Sequence, residues 1–489
     1  MARADGEERP SCGLFTTLAL LGAMGPLAVE ICIPSLPSMQ ESLHTSPSLV
    51  LLTLSSYLAA FATLQLIIGP ISDVVGRRPI LLSSLTTFVV ASILAALSPS
   101  IYFLLPTRAM QAFGASSAMV LSTSVLRDKY GAASRERIAS NLAPIRSTAP
   151  LLAPVLGSFL EATFGWRSCF FFLAAYGLLS LVRVWGSLPE SLPEDRRQPR
   201  LRCGSLLSNS AYVLRRREFL CYALPECAGF GGLFFWISSS SFILQEFYLI
   251  PVEYFGLLYS MTFVGAILGS FSSRRLRLAL HLTPPQYYLV LSAVNAVAGL
   301  VLLVFAFTPL SVSSSVASQA WLQAGMFCYT VCSSATMVQG QVQALEPFPT
   351  RAGAAAGIMG TMRSGVSCAV SVAAGQIHSH LGHTPRPICV AISVMGCLKL
   401  LLHLLCRPAS HGVSAEAPSK VLVSTSRVTQ SSGHEVENSP EVERQVAELK
   451  EAHEAALRDM EEAAARTAKP ASLEVEHGRR GEETEAAKA

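Results

Sequence analysis

Three ionisable side chains stand within apolar stretches of this 489-residue chain, where charged groups are unusual. Glu30 lies in the stretch AVEIC, Arg108 in LLPTRAM and Glu226 in ALPECAGFGG. An ionisable group surrounded by hydrocarbon costs several kcal/mol unless it is paired or hydrated, so each of the three is a candidate for function. Burial favours the neutral form of a carboxyl group and hydration favours the ionised form. A carboxyl whose surroundings alternate can therefore load and release a proton.

Each of these residues also has a structural interpretation. Glu30 could be solvated at the outer mouth of its span, and Arg108 could be a fixed brace between helices. Glu226 could lie at the level of the lipid headgroups, or serve as a second proton site or a cation-recognition site. Arg146 and Arg363 are expected near the cytosolic ends of their spans, where a long side chain extends to the membrane surface.

The elements that must position these residues are membrane spans. Hydrophobic residues make up 51% of the chain and charged residues 14%, whereas an ordinary soluble protein has about 25% charged residues. A membrane-spanning helix needs about 20 mostly apolar residues. Twelve such runs follow one another, at 13–34, 49–71, 79–97, 102–124, 138–160, 168–187, 219–243, 255–273, 287–307, 313–340, 353–377 and 386–406. The sequence therefore predicts an all-α membrane protein with twelve transmembrane helices.

Basic residues are concentrated in alternate loops. One side of the predicted membrane carries many of them, including Arg77, Arg127 and Arg215, whereas the other side has little beyond Arg167 and Arg386. Lysine and arginine mark cytosolic loops, so both termini are expected in the cytosol. The first apolar run is followed at once by a second and is therefore interpreted as a helix rather than a signal peptide. The plasma membrane is the expected location, with an organelle membrane as the alternative.

The spans fall into two groups separated by a polar connector. Residues 1–187 are expected to form an N-terminal six-helix bundle, 188–218 a cytosolic linker, and 219–406 a C-terminal six-helix bundle. Transporters built from two such halves bind substrate between them, near the membrane midplane. The hydrophilic tail, 407–489, is rich in charge and is expected to be disordered apart from a helix near 440–467. That helix has either a weak coiled-coil stripe or a solvated surface.

The stretch GPISDVVGRR ends the second span with glycines, an acid and two arginines. Gly69 and Gly76 permit a tight turn. Arg77 and Arg78 suit the headgroup level, and Asp73 calls for a positive partner or a helix N-terminus. This stretch resembles the signature G-x-x-x-D-R/K-x-G-R-R/K of the major facilitator superfamily, although a valine follows the acid where the family often has a basic residue.

Four further stretches are similar to the bicyclomycin/chloramphenicol-resistance (Bcr/CflA) group of drug:proton antiporters within that superfamily. They are AVEICIPSLPSM at 28–39, LTLSSYLAAFATLQLIIGPISD at 52–73, RAMQAFG at 108–114 and APLLAPVLGSF at 149–159. The resemblance covers about 13–406. It implies the major facilitator fold, in which two six-helix bundles alternate in exposing a central site.

The resemblance also implies roles for individual residues. Asp73, Arg77 and Arg78 would latch the two halves together on the cytosolic side in the outward-facing state. An acid stands at the position of Glu30 in the antiporters, and the arginine that corresponds to Arg108 is tied to proton coupling.

The fifth span contains Pro150, Pro154 and Gly157. Proline frees backbone groups and glycine removes side-chain bulk, so this helix can bend or pack closely on a neighbour. These properties suit a moving gate helix, and in the antiporters the motif is tied to the direction of exchange. An ordinary kinked helix is the alternative.

Aromatic and amide side chains within the spans could line a broad amphipathic pocket for substrate. The candidates are Tyr57, Phe61, Gln65, Trp236 and Gln339. For any single one of them, packing against lipid or another helix is the simpler interpretation.

The function expected from these features is proton-coupled secondary active transport, as an antiporter that exports small amphipathic organic compounds or drugs. The alternatives are a proton-linked importer or facilitator of a metabolite, and a transporter-like receptor or scaffold that signals through the tail. The chain has no nucleotide-binding glycine loop, no metal-ligand pair at helical spacing and no nucleophile–base arrangement. No enzymatic activity, cofactor, metal or nucleic acid is therefore expected. The expected partners are substrate, protons and lipid, with a monomeric protein and a weak protein contact through the tail helix.

Overall fold

The computed structural model describes residues 12–199, 203–348 and 352–406. These residues form fourteen α-helices: α1 (Cys12–Glu30), α2 (Leu36–Ser42), α3 (Pro47–Val75), α4 (Arg77–Ala96), α5 (Ile101–Lys129), α6 (Ala132–Phe164), α7 (Arg167–Ser187), α8 (Cys203–Leu214), α9 (Arg217–Ser241), α10 (Val252–Ala279), α11 (Pro284–Phe307), α12 (Val316–Leu345), α13 (Ala352–Leu381) and α14 (Pro385–Leu405). A π-helix, Phe242–Phe247, extends α9, and two short 3-10 helices lie at Glu194–Arg196 and Pro309–Val312. The helix expected near 440–467 falls outside the described residues.

Twelve of the fourteen helices have at least 19 residues, and each coincides with one of the twelve apolar runs. Nine of them are long and apolar enough to cross a membrane by length and composition. The other two helices are short: α2 follows the first span, and α8 lies in the segment expected to be a linker.

The first span ends at Glu30, four residues earlier than the apolar run 13–34 predicts. The backbone N–H groups of Ile33 and Ser35 donate to the carbonyls of Glu30 and Cys32, each at 3.2 Å, in a tight turn. Pro34 has no N–H with which to continue an α-helix. Glu30 therefore lies where the first span gives way to a turn, and not in the middle of a longer helix.

The long helices divide into two sets by their packing. We call α1 and α3–α7 the N-terminal set and α9–α14 the C-terminal set. Within the first set α5 packs against α3 and α4, and within the second α14 packs against α9 and α11. The two main contacts between the sets are α3 with α13 and α6 with α10. This arrangement is consistent with the expected bundles, whose boundaries stay a prediction.

Small side chains bring α3 and α13 close together. The Ser48 hydroxyl donates to the Gly375 carbonyl at 2.8 Å and lies 2.6 Å from the Ser379 hydroxyl. A Cβ atom on Gly375 would lie 2.9 Å from the Ser48 Cα, which is closer than real Cβ atoms approach. Small residues of this kind let two membrane helices pack backbone against backbone.

The second contact between the sets, α6 with α10, is equally close. Ser260 donates to the Leu151 carbonyl at 2.8 Å. A Cβ atom on Gly256 would lie 2.5 Å from the Pro154 carbonyl oxygen, and one on Gly157 would lie 2.2 Å from the Ile31 carbonyl oxygen. The fifth-span motif therefore packs against α10 on one side and the turn after Glu30 on the other. Pro150 and Pro154 lie inside a helix of 33 residues.

A network of charges fixes the turn between α3 and α4. The buried Arg77 guanidinium pairs with Asp73 at 2.5 Å and with Asp128, at the end of α5, at 3.0 Å. Its Nη1 also donates to the Ser72 hydroxyl and, at 3.5 Å, to the Gly69 carbonyl. These described contacts lie within the N-terminal set, so the expected latch between the halves stays a prediction.

Glu190, which follows α7, closes the same turn from the other side. Its carboxylate accepts the backbone N–H groups of Arg77 and Arg78 at 3.0 and 3.1 Å, and those of Ser191 and Leu192 at 2.9 and 3.0 Å. Gly76 has φ of +109°, and a Cβ there would lie 2.6 Å from Glu190 Oε2. Only glycine therefore fits both the backbone conformation and the space.

Two cysteines at the contact between α3 and α13 should form a disulfide. In the double variant Ser48→Cys, Ser379→Cys, the two sulfur atoms replace hydroxyls 2.6 Å apart, close to the geometry of about 2.05 Å between bonded sulfurs. With a protease site inserted in the linker, the oxidised and cleaved chain should run as one band on a gel and separate into two bands after reduction.

The single variants and the pair Ser48→Cys, Ser272→Cys are the controls for this experiment. Ser272 lies on α10, in the last third of that helix, whereas Ser48 lies at the start of α3. We expect these two cysteines to be too far apart to form a disulfide. Two bands for the oxidised Ser48–Ser379 pair would contradict the packing of α3 on α13.

The Glu190 carboxylate should stabilise the folded protein measurably. Glu190→Ala leaves four backbone N–H groups without their acceptor, and one unsatisfied buried donor costs about 1–3 kcal/mol. We expect a clearly lower Tm for the purified variant in detergent.

Glu194→Ala is the matched control for that measurement. The Glu194 side chain is 89% exposed and pairs only loosely with Arg197, at 3.7 Å; such surface pairs contribute about 0–1 kcal/mol. Equal Tm values for the two variants would show that Glu190 does not hold the turn.

Candidate functional site

Glu30 lies between the two helix sets and is 5% exposed. The Tyr259 hydroxyl, on α10, donates to Glu30 Oε2 at 2.9 Å. Tyr259 is itself fully buried and stacks on Phe255, with ring centroids 5.4 Å apart. Glu30 is therefore enclosed in protein, not in bulk water, and its described side-chain hydrogen bond comes from the opposite set.

The turn after Glu30 is also held by the opposite set. Gln245, in the π-helix that extends α9, donates to the Pro34 carbonyl at 2.8 Å and to Ser241 at 2.7 Å. Ser241 lies 3.5 Å from the same Pro34 carbonyl. The segment that ends the first span thus contacts α9 and α10 as well as its own set. A separation of the two sets would break these bonds together with the Tyr259–Glu30 bond.

Arg108 lies on α5 and is almost completely buried, at 1% exposed. Both terminal nitrogens donate to the Ala28 carbonyl at 3.2 Å, and Nη1 also donates to Gln111 at 2.9 Å. The guanidinium carbon lies 5.0 Å from the ring centroid of Tyr57 and 5.6 Å from that of Phe170. Carbonyl and aromatic groups therefore surround this charge.

Arg108 and Glu30 are neighbours but not partners. The arginine binds the carbonyl of Ala28, two residues before Glu30. The ion pairs within 4.0 Å in the described part of the chain do not include one between these two side chains. The structure thus brings the two candidates to the same end of α1 without joining their charges.

A third buried site lies entirely in the C-terminal set. Glu226 on α9 is 3% exposed, and its Oε1 lies 3.6 Å from Nη1 of Arg363 on α13. Lys399 on α14 is fully buried, interacts electrostatically with Glu226 and donates to the Thr336 hydroxyl at 2.5 Å. Glu226 is therefore a buried acid beside two basic side chains, and its depth in the membrane stays a prediction.

Arg363 differs from the sequence-based expectation. Its Nη1 contacts the Met337 sulfur at 3.8 Å, and its guanidinium lies 5.2 Å from the Phe230 ring centroid. The side chain thus points among α9 and α12 instead of extending to the end of its own helix. Sequence reasoning missed Lys399 altogether, although a lysine inside the apolar stretch GCLKLLL was a signal of the same kind as Glu30.

The five residues expected to line a pocket are distributed over three helices. On α3, Tyr57 donates to the Gly25 carbonyl at 3.3 Å and stacks with Phe61, with ring centroids 5.9 Å apart. Gln65, one further turn along, packs where α3 meets α13: a Cβ on Gly360 would lie 2.6 Å from its Nε2. Tyr57 and Phe61 therefore pack against each other, with Tyr57 bonded to α1, and Gln65 lies at the contact with the C-terminal set.

The two remaining pocket candidates belong to the C-terminal set. Trp236 is fully buried and donates to Thr262 at 3.1 Å, while Gln339 donates to Ser273 at 3.3 Å. Both side chains therefore have protein partners within their own set. A role for any of the five in substrate binding stays a prediction.

Comparison with known proteins identifies the family. The Major Facilitator Superfamily model matches residues 18–404. YdgK of Bacillus subtilis, named an uncharacterized MFS-type transporter, is 31% identical over 359 residues, which cover 73% of this chain and 86% of YdgK.

Two further relatives carry names that refer to drug resistance. The bicyclomycin resistance protein homolog of Haemophilus influenzae is 29% identical over 53% of this chain and 65% of its own length. Multidrug resistance protein D of Escherichia coli is 32% identical over 45% of this chain and 55% of its own length. Each alignment spans less than two thirds of the relative. The resemblance to the superfamily and to the Bcr/CflA group is confirmed.

Solved structures confirm the fold class. The nucleoside transporter NupG matches with a TM-score of 0.63 at 14% identity, over 81% of this chain and 99% of NupG. A D-xylose-proton symporter matches with a TM-score of 0.62 at 15% identity, over 82% of this chain and 98% of the symporter. The expectation that the chain is not an enzyme is also confirmed, because the family consists of transporters. This chain therefore belongs to the Major Facilitator Superfamily and is an integral, multi-pass membrane transporter of small molecules.

Proposed function

We propose that this protein is a proton-coupled antiporter that exports small amphipathic organic compounds. The observation that carries the proposal is the buried Glu30 carboxyl group, hydrogen-bonded across the two helix sets by Tyr259. An acid enclosed in protein at the junction of two moving halves can exchange its proton with one aqueous side at a time. The drug-resistance names of the Haemophilus and Escherichia relatives support export of drug-like compounds.

The coupling works through the enclosure of Glu30, which the Tyr259–Glu30 hydrogen bond joins to α10. While the sets are joined at α6 and α10, Glu30 is enclosed and the neutral, protonated carboxyl is favoured. When α10 moves away from α1, the bond breaks and water reaches the carboxylate, which favours release of the proton. The breaking of one hydrogen bond has a net cost of about 0.5–1.5 kcal/mol, so the bond does not lock the protein in one state.

Arg108 supports this exchange by its position next to the first span. Its guanidinium binds the Ala28 carbonyl at 3.2 Å and so holds a fixed positive charge near the end of α1. A positive charge in this place favours the ionised form of Glu30 once water enters. Glu226 is the second proton-coupling candidate, because it is the buried acid of the C-terminal set.

The gate motif and the fifth-span motif are proposed to govern the movement. The Arg77 network makes the turn between α3 and α4 a rigid unit, so α3 and α4 move together with the N-terminal set. Gly157 packs against the turn after Glu30, so a shift of α6 is transmitted to the proton site. We propose further that both termini face the cytosol and that the protein resides in the plasma membrane.

Glu30→Gln should abolish transport driven by a proton gradient. Glutamine keeps the size and can accept the Tyr259 hydrogen bond but cannot release a proton. In proteoliposomes with an imposed pH gradient, we expect the rate of chloramphenicol movement against its concentration to fall to less than about a tenth of the wild-type rate. The direction of movement in the wild type separates an exporter from an importer.

Glu253→Gln is the matched control for Glu30→Gln. Glu253 is an exposed acid in the first turn of α10, and the same substitution there should leave the rate unchanged. Wild-type gradient-driven flux in Glu30→Gln, at equal protein in the vesicles, would remove Glu30 from the mechanism.

A further inference from the structure

We propose that Arg363 and Lys399 form a subsite for the anionic group of the transported compound, and that the Glu226 carboxylate occupies this subsite when no compound is bound. The proposal rests on the proposed transport function and adds one chemical class to neutral substrates such as chloramphenicol: amphipathic compounds with a carboxylate or a similar single negative charge. The term anion subsite refers below to these three residues.

The three side chains of the anion subsite do not balance in charge when all of them are ionised. Glu226 then contributes one negative charge, and Arg363 and Lys399 contribute two positive charges, on three different helices of the C-terminal set. Two uncharged side chains also lie at the anion subsite: Thr336 binds the Lys399 ammonium, and Tyr288 on α11 lies near Glu226. An unbalanced charge is costly among apolar helices, and an anionic group would balance it.

The Glu226 carboxylate is poorly held for a buried acid. Both of its oxygens are inaccessible to solvent, and neither has a hydrogen-bond partner in the described part of the chain. Its nearest cationic nitrogen, on Arg363, is 3.6 Å away, whereas a good pair of this kind lies at about 2.7–2.9 Å. Glu226 is thus close enough to Arg363 to balance its charge, but it accepts no hydrogen bond from the Arg363 guanidinium.

Two glycines pack close to the anion subsite. A Cβ on Gly340 would lie 3.5 Å from Glu226 Oε2, and one on Gly229 would lie 3.0 Å from Lys399 Nζ. The anion subsite is therefore closely packed, and an anionic group must displace the Glu226 carboxylate to bind there.

Arg363 is the most accessible side chain of the anion subsite. Its side chain is 22% exposed, whereas that of Glu226 is 2% exposed, and Lys399 is fully buried. Arg363 also lies three residues after Gly360, which packs against Gln65 of the N-terminal set. An anionic group that enters between the sets would therefore meet Arg363 first, and the apolar part of the compound would remain beside Phe230.

A cation-recognition role for Glu226 is the competing interpretation. A bound cation would bring a third positive charge to a place that already holds two, and like charges at short distance in a low dielectric repel strongly. The charge balance therefore favours an anion.

Three probes of matched shape test the sign of the charge. The Tm of the purified full-length protein in detergent, near neutral pH, is measured with phenylbutyrate, its neutral amide phenylbutyramide and the cation phenylbutylamine. A compound that binds only the folded protein raises the Tm. We expect phenylbutyrate to raise it and the other two compounds to have no comparable effect. Equal stabilisation by the amide or the amine, or by none of the three, would overturn the proposal.

Variants then test the residues. Arg363→Gln should weaken phenylbutyrate binding by about tenfold or more, the loss expected for removal of a charged hydrogen-bond donor. Glu226→Gln should strengthen binding, because the resident carboxylate no longer competes. Arg275→Gln, at the exposed end of α10, is the control and should bind as the wild type does. Weaker binding in Glu226→Gln would contradict the competition, whatever the outcome for Arg363→Gln.

The two proposals fail in different experiments. If a proton gradient drives chloramphenicol export but phenylbutyrate does not bind preferentially, the anion subsite is wrong and the antiporter stands. If phenylbutyrate binds as expected but no gradient drives either compound, the antiporter is wrong and the anion subsite stands.

Discussion

The structure depends on one constraint: a charged or polar group buried between apolar helices needs a partner, and the partner usually lies on another helix. A lone ionised group among hydrocarbon costs several kcal/mol, whereas a hydrogen bond or a carbonyl contact makes the same group tolerable. Arg108 satisfies the constraint with a carbonyl of α1 and two aromatic rings. Glu30 satisfies it with the Tyr259 hydroxyl of α10. Each such bond fixes the position of one helix relative to another, so the polar groups determine how the apolar helices are arranged.

The same constraint explains how the two helix sets can join and still separate. Their contacts use serine hydroxyls and backbone carbonyls, such as Ser48 with Gly375 and Ser260 with Leu151. Glycines such as Gly256 allow the backbones to approach. Hydrogen bonds of this kind contribute about 0.5–1.5 kcal/mol each when the alternative is water. A junction made of them is specific in geometry and modest in strength, which a protein that must open at this place requires.

The twelve apolar runs predicted the twelve long helices because hydropathy along one helix is a local property of the sequence. Glu30 was equally visible, since an acid among apolar residues is an exception that needs no knowledge of the fold. Its partner was not visible: Tyr259 is 229 residues away, and nothing in the sequence states which faces of α1 and α10 meet. The same limit applies to Glu190, whose contacts with the N–H groups of Arg77 and Arg78 exist only once the chain has folded back on the turn. Arg363 was misjudged for the same reason, because the direction of a long side chain depends on neighbours from other helices.

The buried acids Glu30 and Glu226 have different partners, and the difference has a functional consequence. At the end of α1, Glu30 and Arg108 are kept apart, and the described side-chain hydrogen bond of Glu30 comes from a neutral group. In the C-terminal set an acid stands beside two cations. A carboxyl with a neutral partner can gain or lose a proton without opposition from a fixed positive charge in direct contact. A carboxylate beside two basic side chains can be replaced by the carboxylate of a transported compound, because the same positive charges attract either anion. The two proposals thus assign a proton site to the end of α1 and an anion subsite to α9, α13 and α14.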